Sequence, residues 1–152
     1  MKIYILSGMI IASVISFFLC SCGKDDEELS KSTLTKSTSK NISKPTVSVS
    51  SRKANSAYDG WWVIAKVTTG GDAPDNVECY LEWSKFNKKQ TGTINYTNRD
   101  RMNVQSSSKS QVIFKKEHAG INSGNYIYYR LVGSNSKYTV TGDDEYMVAT
   151  TY

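Results

Sequence analysis

From Tyr58 to the end of the chain, apolar and polar residues alternate along short stretches with a period of two. This period is typical of β-strands that bury one face, because successive side chains of a strand point to opposite sides. No segment repeats apolar residues at the spacing of an amphipathic helix over several turns. The alternation therefore predicts an all-β domain.

Turn-rich sequence divides this region into seven or eight short strands. The predicted strands are 61–68, 77–83, 91–97, 102–105, 111–116, 126–132, 137–141 and 146–151. We expect the last two to form a hairpin across Gly142-Asp143-Asp144. Because consecutive strands usually pair, the expected architecture is a small antiparallel meander, closed as a barrel or packed as a sandwich.

Alternation also predicts which faces of these strands are buried. In the first strand, Trp61, Val63, Ala65 and Val67 form the more apolar face. In the strand from Tyr126, the side chains of Tyr126, Tyr128 and Arg130 share one side, and the other side holds Ile127, Tyr129 and Leu131. One side of each strand should therefore face the core, which leaves aromatic rings beside a cation on the other.

The N-terminus carries the pattern of an exported protein. Lys2 precedes a largely apolar run that ends at Leu19-Cys20-Ser21-Cys22-Gly23. This ending resembles the lipobox of bacterial lipoproteins, with Leu at −3 and a small residue at −1. The resemblance implies that residues 1–21 are a signal peptide and that Cys22 becomes the lipidated N-terminus. An uncleaved membrane anchor is the alternative, because the run is close to the minimum length for a membrane span.

The residues after Cys22 are Gly23-Lys24-Asp25-Asp26-Glu27-Glu28. A Lys followed by acids is similar to the export signal that some Gram-negative bacteria use to bring lipoproteins to the cell surface. The resemblance implies an outer-membrane lipoprotein exposed at the surface. The alternative is that the acids only solubilise the start of a tether, with the protein facing the periplasm.

Residues 22–57 are rich in Ser, Thr and Lys, which predicts a disordered tether before a β domain at 58–152. A short strand at Val47 and Val49 is an alternative, because both alternate with Ser. Residues 23–56 carry seven Lys and Arg against four acids, whereas residues 57–152 carry eleven against ten. The positive charge therefore belongs mainly to the tether, and we expect no nucleic-acid partner.

Residues of the catalytic type are few. His118 is the single histidine, and its surroundings predict a solvated loop between strands. Cys79 lies on the apolar face of its strand, which predicts a buried, inert thiol. The acids of Asp143-Asp144-Glu145 are consecutive in a turn and point different ways. With no phosphate loop, nucleophile elbow or metal-ligand spacing, we expect neither an enzyme nor a cofactor or metal.

Gly60-Trp61-Trp62 is similar to the Gly-x-Trp sequence that opens the first strand of lipocalins and small lipocalin-like domains. In that family the Trp closes the barrel floor and packs on a basic side chain from a late strand. The resemblance implies a lipocalin-like barrel in which Arg130 packs on Trp62.

The expected function is a non-enzymatic, lipid-anchored binding module for a small ligand, a glycan or a protein. Aromatic and Arg side chains are enriched at binding surfaces. The candidate binding residues are Trp62, Trp83, Tyr126, Tyr128 and Arg130. One alternative is an inhibitor of a secreted enzyme, because residues 134–138 are similar to a Ser/Gly/Tyr loop of lysozyme inhibitors, although no framework disulfide is present. Another is a structural envelope lipoprotein.

Overall fold

The computed structural model describes residues 40–56 and 60–150, which belong to one compact unit. The predicted signal peptide, the lipidation site at Cys22 and the first part of the tether lie outside these residues. Within the described residues there is no α-helix, and none forms a helix long and apolar enough to cross a membrane. The prediction of an all-β domain is confirmed.

In residues 40–56 and 60–150, nine strands form two antiparallel sheets. In chain order they are β1 (Val47–Asn55), β2 (Gly60–Thr68), β3 (Glu78–Phe86), β4 (Asn98–Arg101), β5 (Asn103–Ser107), β6 (Gln111–Ala119), β7 (Tyr126–Ser134), β8 (Thr139–Thr141) and β9 (Glu145–Val148). The first sheet has the order β1-β2-β6-β5. The second has the order β4-β3-β7-β8, and β9 also pairs with β7.

The two sheets make a sandwich and do not close into a barrel. The sandwich alternative is therefore confirmed, whereas the barrel and the lipocalin-like topology are not found. The predicted meander is also wrong, because β2 pairs with β6 and β3 with β7. Successive pairs of strands alternate between the sheets, so each chain crossing brings a new apolar face into the same core.

The core lies between the inner faces of the sheets. The first strand of the predicted β domain behaves as its alternation indicates, because Trp61, Val63, Ala65 and Val67 are all buried. The facing strands contribute Leu81 and the fully buried ring of Tyr129. Other core members are Ala54, Val77, Cys79, Met102, Val112, Phe114, Ile121, Ile127, Leu131, Met147 and Ala149. Aromatic side chains thus fill the interior rather than lining an open cavity.

The predicted tether is wrong for Val47–Asn55, which form β1 along the whole length of β2. The physical reason lies in the partner strand: pairing with β2 satisfies the backbone of a polar sequence and lets Val47, Val49 and Ala54 reach the core. The ordered domain therefore begins well before Tyr58.

Two other strand predictions need correction. Residues 91–97 are not a strand, and β4 begins only at Asn98. The segment instead folds over the second sheet, where Ser84 donates a hydrogen bond to the Asn95 carbonyl. The last two strands do not pair with each other, because β8 and β9 both lie along the same edge of β7. Gly142 separates them and donates its backbone N–H to Leu131, so they act as one interrupted strand.

Candidate functional site

A cleft of about 380 Å³ opens where β1 ends and β2 begins. We call it the tryptophan cleft, because Trp61 and Trp62 form its aromatic wall. Its remaining lining is Lys53, Asn55, Gly60, Glu117 and His118. The register explains this grouping, since Lys53 on β1 and Glu117 on β6 both lie opposite Trp62.

Trp61 forms the deep side of the cleft and remains only 4% exposed. Its ring stacks on the imidazole of His118, with ring centroids 4.4 Å apart and planes inclined by 17°. Trp83 from the second sheet meets Trp61 edge-on at 5.1 Å. The cleft floor is therefore a packed aromatic cluster in which each ring is held by the next.

A single carboxylate beneath this cluster holds it together. Asp100 on β4 accepts a hydrogen bond of 2.6 Å from the indole N–H of Trp83. The Nε2 atom of His118 lies 3.4 Å from the same carboxylate oxygen, and the Lys116 ammonium lies 3.9 Å from the other. Asp100 thus links the second sheet to β6 of the first.

His118 does not lie in a solvated loop, as its sequence context predicts, but near the end of β6 with its side chain 15% exposed. Burial lowers its pKa below the ordinary value, Asp100 opposes this effect, and Lys116 adds to it. The imidazole is therefore neutral at pH 7. Its Nε2 atom is buried without a hydrogen-bond partner, so the neutral ring packs as part of the aromatic cluster.

Of the predicted binding residues, only Trp62 lines the tryptophan cleft. Its ring is half-buried on the outer face of the first sheet, with the Lys115 ammonium 5.8 Å from the ring centroid. Trp83 is partly buried behind Trp61 and supports the cleft without lining it. The two tryptophans therefore have different positions, one lining the cleft and one supporting its wall.

Tyr126 and Tyr128 lie on the outer face of the other sheet, where Tyr146 of β9 joins them. The Tyr146 ring centroid is 5.3 Å from that of Tyr128 and 6.2 Å from that of Tyr126. We call these three rings the tyrosine cluster. Tyr128 is only 7% exposed, and its hydroxyl bonds both backbone groups of Gln90. The connection after β3 thus covers Tyr128, while Tyr146 stays 41% exposed.

Arg130 does not pack on Trp62, as the lipocalin resemblance implies. Its guanidinium donates a 2.8 Å hydrogen bond to Glu82 and lies 4.8 Å from the Tyr96 ring centroid. Arg99 shares Glu82 and lies over the ring of Tyr80. The second sheet thus keeps Arg130 on its own outer face, because Arg130 and Glu82 are direct cross-strand partners.

Cys79 is fully buried, which confirms the prediction of an enclosed thiol. Burial raises its pKa to about 12. Among the described residues, no group of three His, Cys, Asp or Glu side chains lies close enough to hold a metal ion.

Sequence reasoning missed two contributors to the cleft. Asp100 stands between two arginines in a polar stretch, so its inward direction depends on a strand register that no local pattern reveals. His118 could have been found, because it continues the inward alternation of Val112 and Phe114 on β6. Gly120 indicates a loop, but the strand continues through His118 to Ala119 before that loop begins.

No protein-family model, curated protein or solved structure matches this chain. The geometry of the described residues is therefore the basis for the functional conclusion.

Proposed function

We propose that this chain is a non-enzymatic binding module that takes a small polar ligand, such as a sugar, in the tryptophan cleft. The observation that carries the proposal is the half-exposed Trp62 ring, which lies with buried Trp61 and with amide, ammonium, carboxylate and imidazole side chains around one concave surface. Its volume of about 380 Å³ is in the range of small-molecule sites.

The chemistry of the lining favours a sugar over a purely apolar ligand. An aromatic face packs against the C–H groups of a sugar ring, and neighbouring polar groups hydrogen-bond its hydroxyls. Trp62 supplies the accessible ring, and Asn55 and Glu117 border it. Because Trp61 and His118 are stacked, the wall is already formed, which lowers the entropic cost of binding.

Glu117 and His118 are held within the walls of the cleft, and the Nε2 atom of His118 is buried without a hydrogen-bond partner, which supports binding rather than catalysis. Glu117 forms an ion pair with Lys115, and His118 faces Asp100 through the aromatic cluster. General acid–base catalysis needs a positioned group that reaches the reacting atom. In this arrangement the carboxylate and the imidazole order the walls of the cleft.

Titration with monosaccharides and disaccharides, followed by tryptophan fluorescence, tests the proposal. We expect saturable quenching in the wild type, loss of binding in Trp62→Ala, and unchanged affinity in Tyr126→Ala. The Tyr126 variant is the control, because the tyrosine cluster lies on the other sheet. Absence of any fluorescence response across the series, or equal loss in both variants, would overturn the assignment.

We further propose that the module is anchored in the outer membrane through a lipid on Cys22 and exposed at the cell surface. The lipobox resemblance and the acidic sequence after Cys22 support this placement. Metabolic labelling with palmitate should mark the wild type but not Cys22→Ala. Protease added to intact cells should remove the domain; a domain that survives until the outer membrane is broken faces the periplasm.

A second candidate function, inhibition of a secreted enzyme, is favoured by the rigid turn between β7 and β8. The Asn135 amide donates to the carbonyls of Ser43 and Thr69, and its oxygen accepts from the backbone N–H of Tyr138. Asp72 accepts the N–H of Ser136, and hydrogen bonds hold its pKa well below the usual range. The exposed residues of the turn are therefore held in one conformation.

A pre-organised turn loses little entropy on entering a cleft of a partner enzyme. If this candidate is right, excess purified domain lowers the lytic activity of lysozyme, and Lys137→Ala weakens the effect. Full lysozyme activity in the presence of excess domain rules out lysozyme as the target.

A further inference from the structure

The outer face of the first sheet combines lysines with apolar side chains. The register places Lys53 opposite Trp62, Lys115 opposite Ile64, and Lys66 opposite Ile113. Directly opposed residues in a sheet point to the same side, and alternation along each strand puts all six on the outer face. We call these six residues the lysine face.

The lysine face has a net positive charge. The face has three lysines. The outward-facing residues of β2 and β6 include one acid, Glu117, which forms an ion pair with Lys115. Lys53 and Lys66 are exposed. The apolar side chains between the lysines, Trp62, Ile64 and Ile113, are half-buried.

The outer face of the other sheet differs in the way its charges are arranged. There, Arg99 and Arg130 share Glu82, and Arg101 pairs with Glu78. Guanidiniums on that side are therefore matched with carboxylates across neighbouring strands. The two faces of the sandwich thus have distinct electrostatic character, within a span (residues 37–152) that carries fifteen Lys and Arg against ten acids.

We propose that the lysine face docks on an anionic lipid surface. Two properties of the face carry the inference: its charge is complementary to anionic headgroups, and it presents a Trp ring with two Ile side chains between the cations. Lysines near an anionic membrane gain electrostatic attraction, while Trp prefers the headgroup level, where one part of the ring is wet and another apolar. Half-buried isoleucines add contact area once the face is in place.

The chain before β1 makes this contact accessible. Val47 opens β1, and Cys22 precedes it by 25 residues, from the difference of the two positions. A chain of 25 residues reaches at most about 80–90 Å, so a lipid on Cys22 would keep the domain within that distance of the membrane. The proximity argument rests on the proposed lipidation, whereas the docking itself depends only on the face.

The lysine face extends well beyond the tryptophan cleft. Lys66 and Ile113 are cross-strand partners toward the far end of β2 and do not line the cleft. Substitutions at these two positions therefore test docking without touching the proposed sugar site.

The experiment is flotation of the domain with vesicles of phosphatidylcholine alone or mixed with phosphatidylglycerol. Residues 37–152 form a compact unit that contains the whole described core, so a soluble protein of that span retains the face. We expect flotation with the phosphatidylglycerol vesicles only, and weaker flotation as salt is raised. Lys66→Gln should weaken binding on the order of fivefold, and Ile113→Ser should weaken it as well.

Lys88→Gln is the matched control, because Lys88 is an exposed lysine in the connection after β3, away from the face. Wild-type protein that stays unbound with anionic vesicles overturns the proposal, as does equal loss in Lys66→Gln and Lys88→Gln. Equal binding to both vesicle types overturns the role of charge. Sugar titration of Lys66→Gln keeps the two proposals separate: a docking defect with normal sugar affinity is expected, and failure of one assay leaves the other interpretable.

Discussion

Gly70 shows how closely two turns and the segment before β1 are fitted together. Its φ is +62°, and a Cβ atom built there would lie 2.2 Å from the carbonyl oxygen of Ser43. The same Ser43 donates its backbone N–H to the Gly70 carbonyl. A side chain at this position would therefore be strained by the backbone conformation and would also collide with the backbone of Ser43.

We predict that Gly70→Ala lowers the free energy of unfolding by about 3 kcal/mol. Gly92→Ala is the control, since Gly92 also has a positive φ but nothing lies within 4 Å of its added Cβ. That variant should lose only about 1 kcal/mol from backbone strain. Urea unfolding of both proteins measures the difference, and equal losses would show that the Ser43 contact is unimportant.

Cys79 should be chemically silent in the folded protein. Its thiol is fully buried and its pKa is raised to about 12, so the reactive thiolate is scarce at pH 8. Using the domain without the N-terminal cysteines, we expect Ellman's reagent to label Cys79 only after urea unfolding. Rapid stoichiometric labelling of the native protein would contradict this prediction.

His118 should make stability depend on pH. Because burial lowers its folded pKa below the ordinary 6.5, the unfolded chain binds a proton first as the pH falls. Stability from this residue is therefore complete above pH 6.5 and is lost as the pH falls toward the folded pKa. Urea unfolding between pH 7.5 and about 5 should show the decline, and His118→Gln should flatten it. An unchanged slope in His118→Gln would assign the effect to another group.

At the scale of elements, β1 is the strand that sequence patterning described least well. Its central residues are polar, and it lies at the edge of its sheet, so alternation gives a weak signal. Its side chains nevertheless tie the sheets together. The guanidinium of Arg52 donates a 2.7 Å hydrogen bond to the Tyr129 hydroxyl and forms an ion pair with Glu145 on β9.

Removing β1 should therefore disrupt the domain, whereas removing residues 22–39 should not. A protein that begins at Lys40 should unfold at the same urea concentration as one that begins at Cys22. A protein that begins at Gly60 should lose about 3 kcal/mol or fail to fold, because the partners of Val47, Val49 and Ala54 become exposed. Urea unfolding followed by circular dichroism tests this. Equal stability of all three proteins would show that β1 is not part of the folded domain.

Strands with one buried face could be predicted from the sequence, whereas pairing could not. β2 alternates strongly, and its inner face matches the expected side, whereas β7 is buried on both sides for much of its length, with Tyr128 covered by the connection after β3. The register that brings Asp100 under Trp83 depends on which strands cross between the sheets. The extension of β6 beyond the predicted end at residue 116 also depends on pairing, because β2 pairs with it as far as Ala119.

The candidate site was predicted only in part for the same reason. Residue type correctly marked Trp62 as a surface aromatic, but composition could not separate it from Tyr126 and Tyr128 on the other sheet. Which aromatic residues lie together depends on the pairing of strands that are far apart in sequence. The five predicted residues therefore fall into three places: the cleft, the interior behind it, and the outer face of the second sheet.

For the whole molecule, the filled core limits what the protein can hold. Trp61, Phe114 and Tyr129 occupy the space between the sheets, so a long acyl chain has no room there. We predict that the native domain binds no fluorescent fatty acid. Saturable binding of parinaric acid with one site per chain would contradict the filled core.

The same core predicts opposite roles for adjacent tryptophans. Trp61→Ala should cost about 3–5 kcal/mol of unfolding free energy, because its ring is buried in the interior. Trp62→Ala should cost far less, since that ring is half-exposed on the outer face. Thermal unfolding of the two variants measures this contrast, and similar losses would mean that Trp62 also belongs to the core.

The position of β1 also has a mechanical consequence. The chain enters β1 at Val47, and the tryptophan cleft lies beside Asn55 at its opposite end. A pull between the preceding chain and a ligand held in the cleft runs along the strand. Since ladder hydrogen bonds in antiparallel pairs stand perpendicular to the strands, such a pull loads the β1–β2 ladder in shear, with many bonds sharing the force at once. The domain is thus built to resist traction along this axis far better than peeling of β1 from one end.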